Sequence, residues 1–170
     1  MKLSKIVAVL FVALSIVSCK SDDDGANEFV YNKANLEGTY SLNYFVSTEV
    51  ETTIINGYEV ATTTTSTGDT FQVDFIFSEN GTYTVDGEFR ETYTVVVNGE
   101  TTEEDSQIIV ISNETAGYSV SASTSLLILD GETYQVTVFN ENELQLRLEE
   151  ASSSNGDTYL YTEELRFTRQ

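Results

Sequence analysis

Histidine is absent from this 170-residue chain, and cysteine occurs once. Without histidine the sequence has neither the commonest neutral-pH acid or base nor the commonest metal ligand. A single cysteine excludes an intrachain disulfide, so a folded domain must rely on packing and hydrogen bonds. The chain also lacks a Gly-x-Ser-x-Gly motif and a phosphate-binding glycine-rich loop. We therefore expect no enzyme, no cofactor and no metal site.

Carboxylates are the one catalytic group present in abundance, with 28 Asp and Glu. A glycosidase needs only two, about 5 to 10 Å apart, but so many acids produce such pairs by chance. The acidic run at 103–105 and the pair Glu149-Glu150 are typical of solvated faces or loop tips. The run Asp22-Asp23-Asp24-Gly25 lacks the downstream spacing of an EF-hand calcium loop.

Basic residues are scarce, with 8 Lys and Arg in the chain and a formal net charge of −20. Such a surface repels polyphosphates at long range, which excludes nucleic acid as an expected partner. It also disfavours peripheral docking to anionic lipid. With 40% hydrophobic residues and 10 Tyr plus 9 Phe, the chain can nevertheless bury a proper core.

The N-terminal segment combines Lys2 and Lys5 with an apolar run over residues 6–17, of signal-peptide length and too short to span a bilayer. Ser18 and the lone Cys19 end this run and resemble the lipobox of bacterial lipoproteins. The resemblance implies cleavage after residue 18 and a diacylglycerol on Cys19, which anchors the chain to the lipid bilayer. The alternative is an uncleaved anchor helix that contains a chance cysteine.

The residues that follow, Ser21, Asp22, Asp23 and Asp24, resemble the export tag of surface lipoproteins in some Gram-negative bacteria. This implies a lipid-anchored protein of the outer membrane that faces the cell exterior; otherwise these acids are a solvated tether. Residues 19–35 are polar and aperiodic, which predicts a flexible linker. Cleavage leaves 152 residues with 6 basic and 28 acidic side chains, a net charge of −22.

Residues 36–170 show alternation of period two, beginning with Tyr40, Leu42 and Tyr44, and no convincing helical repeat. The dipeptides Asn56-Gly57, Asn98-Gly99 and Asp130-Gly131 suit two-residue hairpin turns, and Glu79-Asn80-Gly81 marks another turn. These signals predict an all-β fold of 8 to 10 antiparallel strands, as an up-and-down barrel or a sandwich.

Several segments depart from this simple alternation or extend it. The Thr run at 62–65 is predicted as edge strand or loop, with residues 51–65 as an exposed edge. Asp86-Gly87 is predicted as a bulge or turn. Residues 107–111 and 126–129 are apolar on both faces, so both are expected to be covered on each side.

Three segments resemble the lipocalin-like domains carried by many bacterial surface lipoproteins. They are residues 38–42 (GTYSL), 77–84 (FSENGTYT) and 165–169 (LRFTR), and the resemblance covers residues 36–170. It implies an eight-stranded barrel in which an opening-strand aromatic packs at the closed end with an Arg from the last strand across it. Tyr40 stands where the family has Trp. By parity Tyr40 and Arg169 then share the inner side, and we predict that they stack.

Two function classes follow from a barrel. The first is a binding module for a small hydrophobic or amphipathic ligand, held by inward aromatic residues. Its candidate interior residues are Tyr44, Phe71, Phe75, Tyr83, Phe89 and Tyr134. The second is a filled barrel that contacts another envelope protein, for example by strand addition at residues 51–65. An open interior cavity favours the first class and a packed interior the second.

Overall fold

The computed structural model describes residues 29–170. The predicted lipidation site Cys19 and export residues Ser21, Asp22, Asp23 and Asp24 lie outside the described residues. One short helix and eight strands follow: α1 (Lys33–Leu36), β1 (Gly38–Ile55), β2 (Tyr58–Phe77), β3 (Thr82–Val97), β4 (Glu100–Ser121), β5 (Leu126–Leu129), β6 (Glu132–Phe139), β7 (Glu143–Ser154) and β8 (Asp157–Arg169). No helix in this part of the chain is long and apolar enough to cross a membrane.

The eight strands form one closed antiparallel ring in sequence order, and β8 returns to pair with β1. The prediction of an all-β up-and-down barrel is therefore confirmed. Its two-residue turns also lie where the sequence predicts them. Asn56-Gly57 and Asn98-Gly99 have positive φ at both residues, as a type I′ turn requires. Asn155-Gly156, between β7 and β8, forms a further turn of this kind.

One end of the barrel, here called the closed base (residues 38–46, 67–90, 113–148 and 164–169), contains the packed core. Alternate residues of its strands point inward, and Tyr40, Leu144, Leu146 and Phe167 are fully buried. The intervening residues of β7 face outward, as the alternation predicts, because Leu146 and Leu148 flank Arg147. Polar residues outside and apolar residues inside are the reverse of a barrel whose outer surface faces lipid.

The remaining strand segments rise beyond the base as the open extension (residues 47–66, 91–112 and 149–163). No described residue in it is fully buried. The short strands β5 and β6 do not reach it. β4 pairs with β3 over residues 100–117 and with β5 only over 118–121, and the Gly117 carbonyl accepts from the Asp130 amide, so within residues 29–170 its second edge is free from 100 to 116.

Three sequence predictions are corrected here. Residues 62–65 form neither an edge nor a loop, because β2 pairs with β1 on one side and β3 on the other. Residues 51, 52 and 62–65 are therefore not an exposed edge, and residues 53–60 pair only with each other at the hairpin tip. Among the described residues, free edges belong to β4 and to residues 148–154 of β7. Residues 107–111 are not covered on both faces, since Ile108 and Val110 are 57% and 64% exposed. Sequence alternation gives no information on which strands are too short to reach the extension. In the structure β5 and β6 are the short strands, and they leave β4 without a second neighbour there.

Two of the register shifts among the described strands bear on the sequence predictions. Between Val85 and Gly87 the β3–β4 register shifts, so the strand continues through this point without a turn. A Cβ on Gly87 would overlap the backbone of Gln72, which explains the glycine. In β1 the pairing with β8 shifts between Leu42 and Tyr44. Beyond this shift Phe45 takes the inward side.

Residues 29–35, predicted as part of the flexible linker, instead pack against the base. The Phe29 ring stacks on Phe139 with centroids 5.0 Å apart, and the Tyr31 hydroxyl donates to the Leu126 carbonyl at 2.9 Å. The following helix α1 buries Leu36 completely. The linker prediction was wrong for this stretch because its few aromatic residues carry no periodicity, yet they cover the apolar end of the barrel.

Candidate functional site

A cavity of about 340 Å³ lies inside the barrel, above the packed core. Its apolar wall is formed by residues that seven strands, all but β7, turn inward: Leu42, Phe45, Val73, Phe75, Tyr83, Val85, Phe89, Ile111, Leu129, Tyr134 and Leu165. Four carboxylates complete the lining: Glu114, Asp130, Glu132 and Glu163. The volume is within the range of small-molecule sites, which are mostly apolar with a few placed polar groups.

Four of the six predicted interior residues line this cavity: Phe75, Tyr83, Phe89 and Tyr134. Phe71 is adjacent, with its ring stacked on Phe89 at 5.7 Å between centroids. Tyr44 is not in the interior. The bulge after Leu42 turns it outward, where the guanidinium carbon of Arg166 lies 4.3 Å from its ring centroid.

The sequence prediction missed Phe45, which occupies the inward place expected for Tyr44. Its ring packs edge-on against Phe89, with centroids 5.7 Å apart. Uninterrupted alternation from Tyr40 leads to Tyr44, and no Gly marks this bulge as Gly87 marks the other. The four lining carboxylates were missed as well, because their parity could be read only once the strand register was known.

Glu163 is the half-buried carboxylate of the cavity and is held by two tyrosines. The Tyr161 hydroxyl donates to it at 2.6 Å, and the Tyr134 hydroxyl lies 2.9 Å from Glu163 and 3.0 Å from Glu132. Burial, followed by the charge of Glu163, raises the pKa of Tyr134 above its ordinary value. Burial and the bond to Glu163 likewise raise the pKa of Tyr161. Both phenols therefore stay neutral donors at physiological pH.

The exposed carboxylates Glu114, Asp130 and Glu132 mark the mouth of the cavity. The Tyr83 ring stands beside them, 6.1 Å from and parallel to the Phe75 ring. Burial raises the pKa of Tyr83 and the three carboxylate charges raise it further. The mouth is thus a region of negative potential over an aromatic wall.

The closed end below the cavity is filled by Tyr40 and Arg169, which are directly opposed on β1 and β8. The guanidinium carbon lies 5.6 Å from the Tyr40 ring centroid and 4.9 Å from that of Phe29. Arg169 also donates to the carbonyls of Asn35 and Glu37, each at 2.8 Å. The cavity therefore has a solid floor at this end.

Among residues 29–170, no group of three or more His, Cys, Asp or Glu side chains is arranged to hold a metal ion. No protein-family model matches the chain, and no curated protein matches it. One solved structure that the chain matches is Ail, the attachment invasion locus protein of Yersinia pestis. It is 11% identical, and the match covers 79% of this chain and 100% of that one with a TM-score of 0.25.

Proposed function

We propose that this chain is a surface lipoprotein anchored to the outer membrane through acylated Cys19, and that its barrel binds a small hydrophobic or amphipathic ligand. The cavity of about 340 Å³ is the observation that carries the binding proposal. Its wall joins several aromatic rings, and its polar groups are four carboxylates and two tyrosine hydroxyls. That combination is characteristic of ligand pockets. The resemblance to lipocalin-like domains supports the same function.

A matched pair of variants on β4 tests ligand binding. Ile111 lines the cavity, whereas its neighbour Val110 points outward and is 64% exposed. We expect a neutral hydrophobic fluorescent probe to bind the protein saturably, Ile111→Trp to weaken that binding about tenfold or more by filling the cavity, and Val110→Trp to leave it unchanged. Circular dichroism confirms that both variants fold. Equal effects of the two variants, or no saturable binding, would contradict the proposal.

The anchoring proposal rests on the lone Cys19 at the end of the apolar run. Replacing Cys19 by Ser should release the protein from the membrane fraction. Replacing Asp22, Asp23 and Asp24 by Ala should remove its protease accessibility on intact cells. Membrane retention of the Ser variant contradicts lipidation, and unchanged accessibility contradicts the export signal.

A second candidate function, docking of another envelope protein, is favoured by the free edge of β4. Over residues 100–116 this strand presents unpaired backbone groups beside the exposed Ile108 and Val110, within the described part of the chain. Such an edge can accept an extended segment as an added strand. Glu103, Glu104 and Asp105 on the same strand favour a basic segment.

The test of docking is an extended peptide of alternating Lys and Val, followed by amide chemical shifts of β4. We expect shifts and exchange protection within residues 100–116. A peptide of the same sequence that is N-methylated at every backbone amide has no N–H to donate on either edge and serves as the control. Identical shifts with both peptides would show that strand addition does not occur there.

A further inference from the structure

The cavity has an uneven distribution of charge that bears on the ligand class. Four of its lining residues are carboxylates, and none is Lys or Arg. Three of the five basic residues in the described chain, Arg90, Arg147 and Arg166, form ion pairs with Asp69, Glu149 and Glu164. The other two, Lys33 and Arg169, lie near Tyr118 and Tyr40 at the closed base. No described cation is therefore placed to neutralise the mouth.

The open extension continues this negative lining above the cavity. On β8, Glu163 lines the cavity and Tyr161 and Tyr159 share its side of the strand by alternation. The β1 residues opposite these tyrosines are Glu49 and Glu51. A cation approaching along this inner face meets carboxylates before it reaches the aromatic wall, and such a field raises the local concentration and capture rate of cations.

The wall itself suits a cation with an apolar body. Phe75, Tyr83 and Phe89 present ring faces or edges to the cavity, and aromatic faces attract ammonium groups as well as apolar ones. An anionic headgroup at the mouth would lie against Glu114, Asp130 and Glu132 with no described basic residue beside it. Two like charges repel each other more strongly beside a protein than in bulk water, because the effective dielectric constant is lower there.

We propose that the cavity selects cationic amphiphiles, with the apolar body against the aromatic wall and the positive group between the mouth carboxylates. This rests on the proposed function of the cavity and specifies its ligand class. An organic ammonium ion carrying a short alkyl or aryl group is the chemistry that fits. Glu163 stays held by Tyr134 and Tyr161, whereas Glu114 and Asp130 make no side-chain hydrogen bond to another described residue and are free to face the cation.

The experiment compares three probes that share an octyl chain: octyltrimethylammonium, octyl glucoside and octyl sulfate. Each is titrated below its micelle concentration against the full chain carrying Cys19→Ser, with displacement of the neutral fluorescent probe as the readout. We expect the ammonium to bind about tenfold more tightly than the glucoside, and the sulfate most weakly. The preference should shrink as salt rises, because the mouth carboxylates are exposed.

Charge-matched variants assign the preference to the mouth. Glu114→Gln with Asp130→Asn should reduce the ammonium-to-glucoside ratio about threefold to tenfold. Glu59→Gln with Glu88→Gln removes the same charge from exposed positions that do not line the cavity and should leave the ratio unchanged. Asn at position 130 keeps the local fold, since it tolerates the positive φ found there.

The possible results separate this inference from the proposed function. Equal affinities for all three probes, or preference for the sulfate, with the neutral probe still bound saturably, overturn the charge selectivity and leave the binding function standing. Equal losses in the two double variants overturn the role of the mouth. Absence of saturable binding by the neutral probe and by all three amphiphiles overturns both.

Discussion

The closed base and the open extension share continuous strands but arrange polarity in opposite ways. In the base, β8 turns Leu165 and Phe167 inward and Arg166 outward. Nearer the N-terminal end of the same strand, the inward residues are Tyr161 and Glu163, while Leu160 lies outside and is 38% exposed. The same backbone ladder therefore supports an apolar core in one half and a carboxylate-lined inner face in the other.

The contrast shows that backbone pairing with a neighbouring strand is enough to extend a strand. A buried core forms only where the strands close around an interior. The strands of the extension are rich in β-branched Thr and Val, and each is paired with a neighbouring strand on at least one side. Only in the base do β5 and β6 complete the wall around a buried core. The cavity lies at the junction, so it takes its aromatic wall from the base and its negative field from both regions.

The largest expected difference between the two regions comes from one substitution made in each. Leu146 in the base is 0% exposed, whereas Leu160 in the extension is 38% exposed. We expect Leu146→Ala to lower the free energy of unfolding by about 2 to 5 kcal/mol, because it leaves a cavity in a packed core. Leu160→Ala should cost less than about 1 kcal/mol. Urea unfolding followed by circular dichroism measures both, and equal losses would contradict a core confined to the base.

Two glycines give a second comparison. A side chain on Gly87 would overlap the carbonyl of Gln72 in the base, whereas a Cβ on Gly99, at the β3–β4 turn of the extension, meets no atom within 4 Å. Gly87→Ala should therefore cost about 3 kcal/mol, and Gly99→Ala only the strain of its positive φ, about 1 kcal/mol. Thermal unfolding ranks the two variants. A milder effect at Gly87 would show that the bulge can open without loss of the base.

The Tyr40–Arg169 contact offers a measurement within the base alone. A double-mutant cycle on Tyr40→Leu and Arg169→Met should give a coupling free energy of about 0.5 to 2 kcal/mol, since the guanidinium faces a buried ring. Tyr40→Phe is the control that keeps the ring and removes a hydroxyl with no partner among the described residues. We expect this variant to be near neutral. Strictly additive losses in the cycle would show that the contact between these two side chains contributes no free energy of its own.

The decline of the unfolding free energy at alkaline pH should distinguish a tyrosine of the cavity from one at the tip of the extension. Tyr134 has a raised pKa in the folded protein because of its burial and of Glu163, so its neutral form is stabilised by folding. This contribution is fully present below the unfolded pKa near 10 and is lost as the pH rises above it, by about 1 kcal/mol per pH unit. Tyr134→Phe should flatten the decline of unfolding free energy between about pH 10 and 11.

Tyr58→Phe is the matched control, because Tyr58 lies at the tip of the extension and is 77% exposed. It should leave the alkaline slope unchanged. Equal slopes in the wild type and Tyr134→Phe would show that this phenol does not titrate differently on unfolding.

The sequence predicted much of the barrel and part of the site. Inward and outward faces alternate along residues 71–77 and 144–148, as a period-two pattern predicts, and the Asn-Gly pairs correctly located the turns. Phe75, Tyr83, Phe89 and Tyr134 were correctly predicted to line the interior. Tyr44 was assigned to the wrong face because one bulge reverses parity without a local signal, and a register shift moves every later side chain to the opposite face.

What the sequence by itself determined is local: period-two alternation, the positions of the turns, the excess of acidic charge and the absence of histidine. These depend on neighbouring residues or on composition, so no knowledge of the fold is needed. The tertiary structure decided which strands stop short, where the free edge lies and which carboxylates meet at the cavity mouth. Each of these depends on register between strands remote in sequence, and register is set by packing across the whole barrel rather than by any one segment.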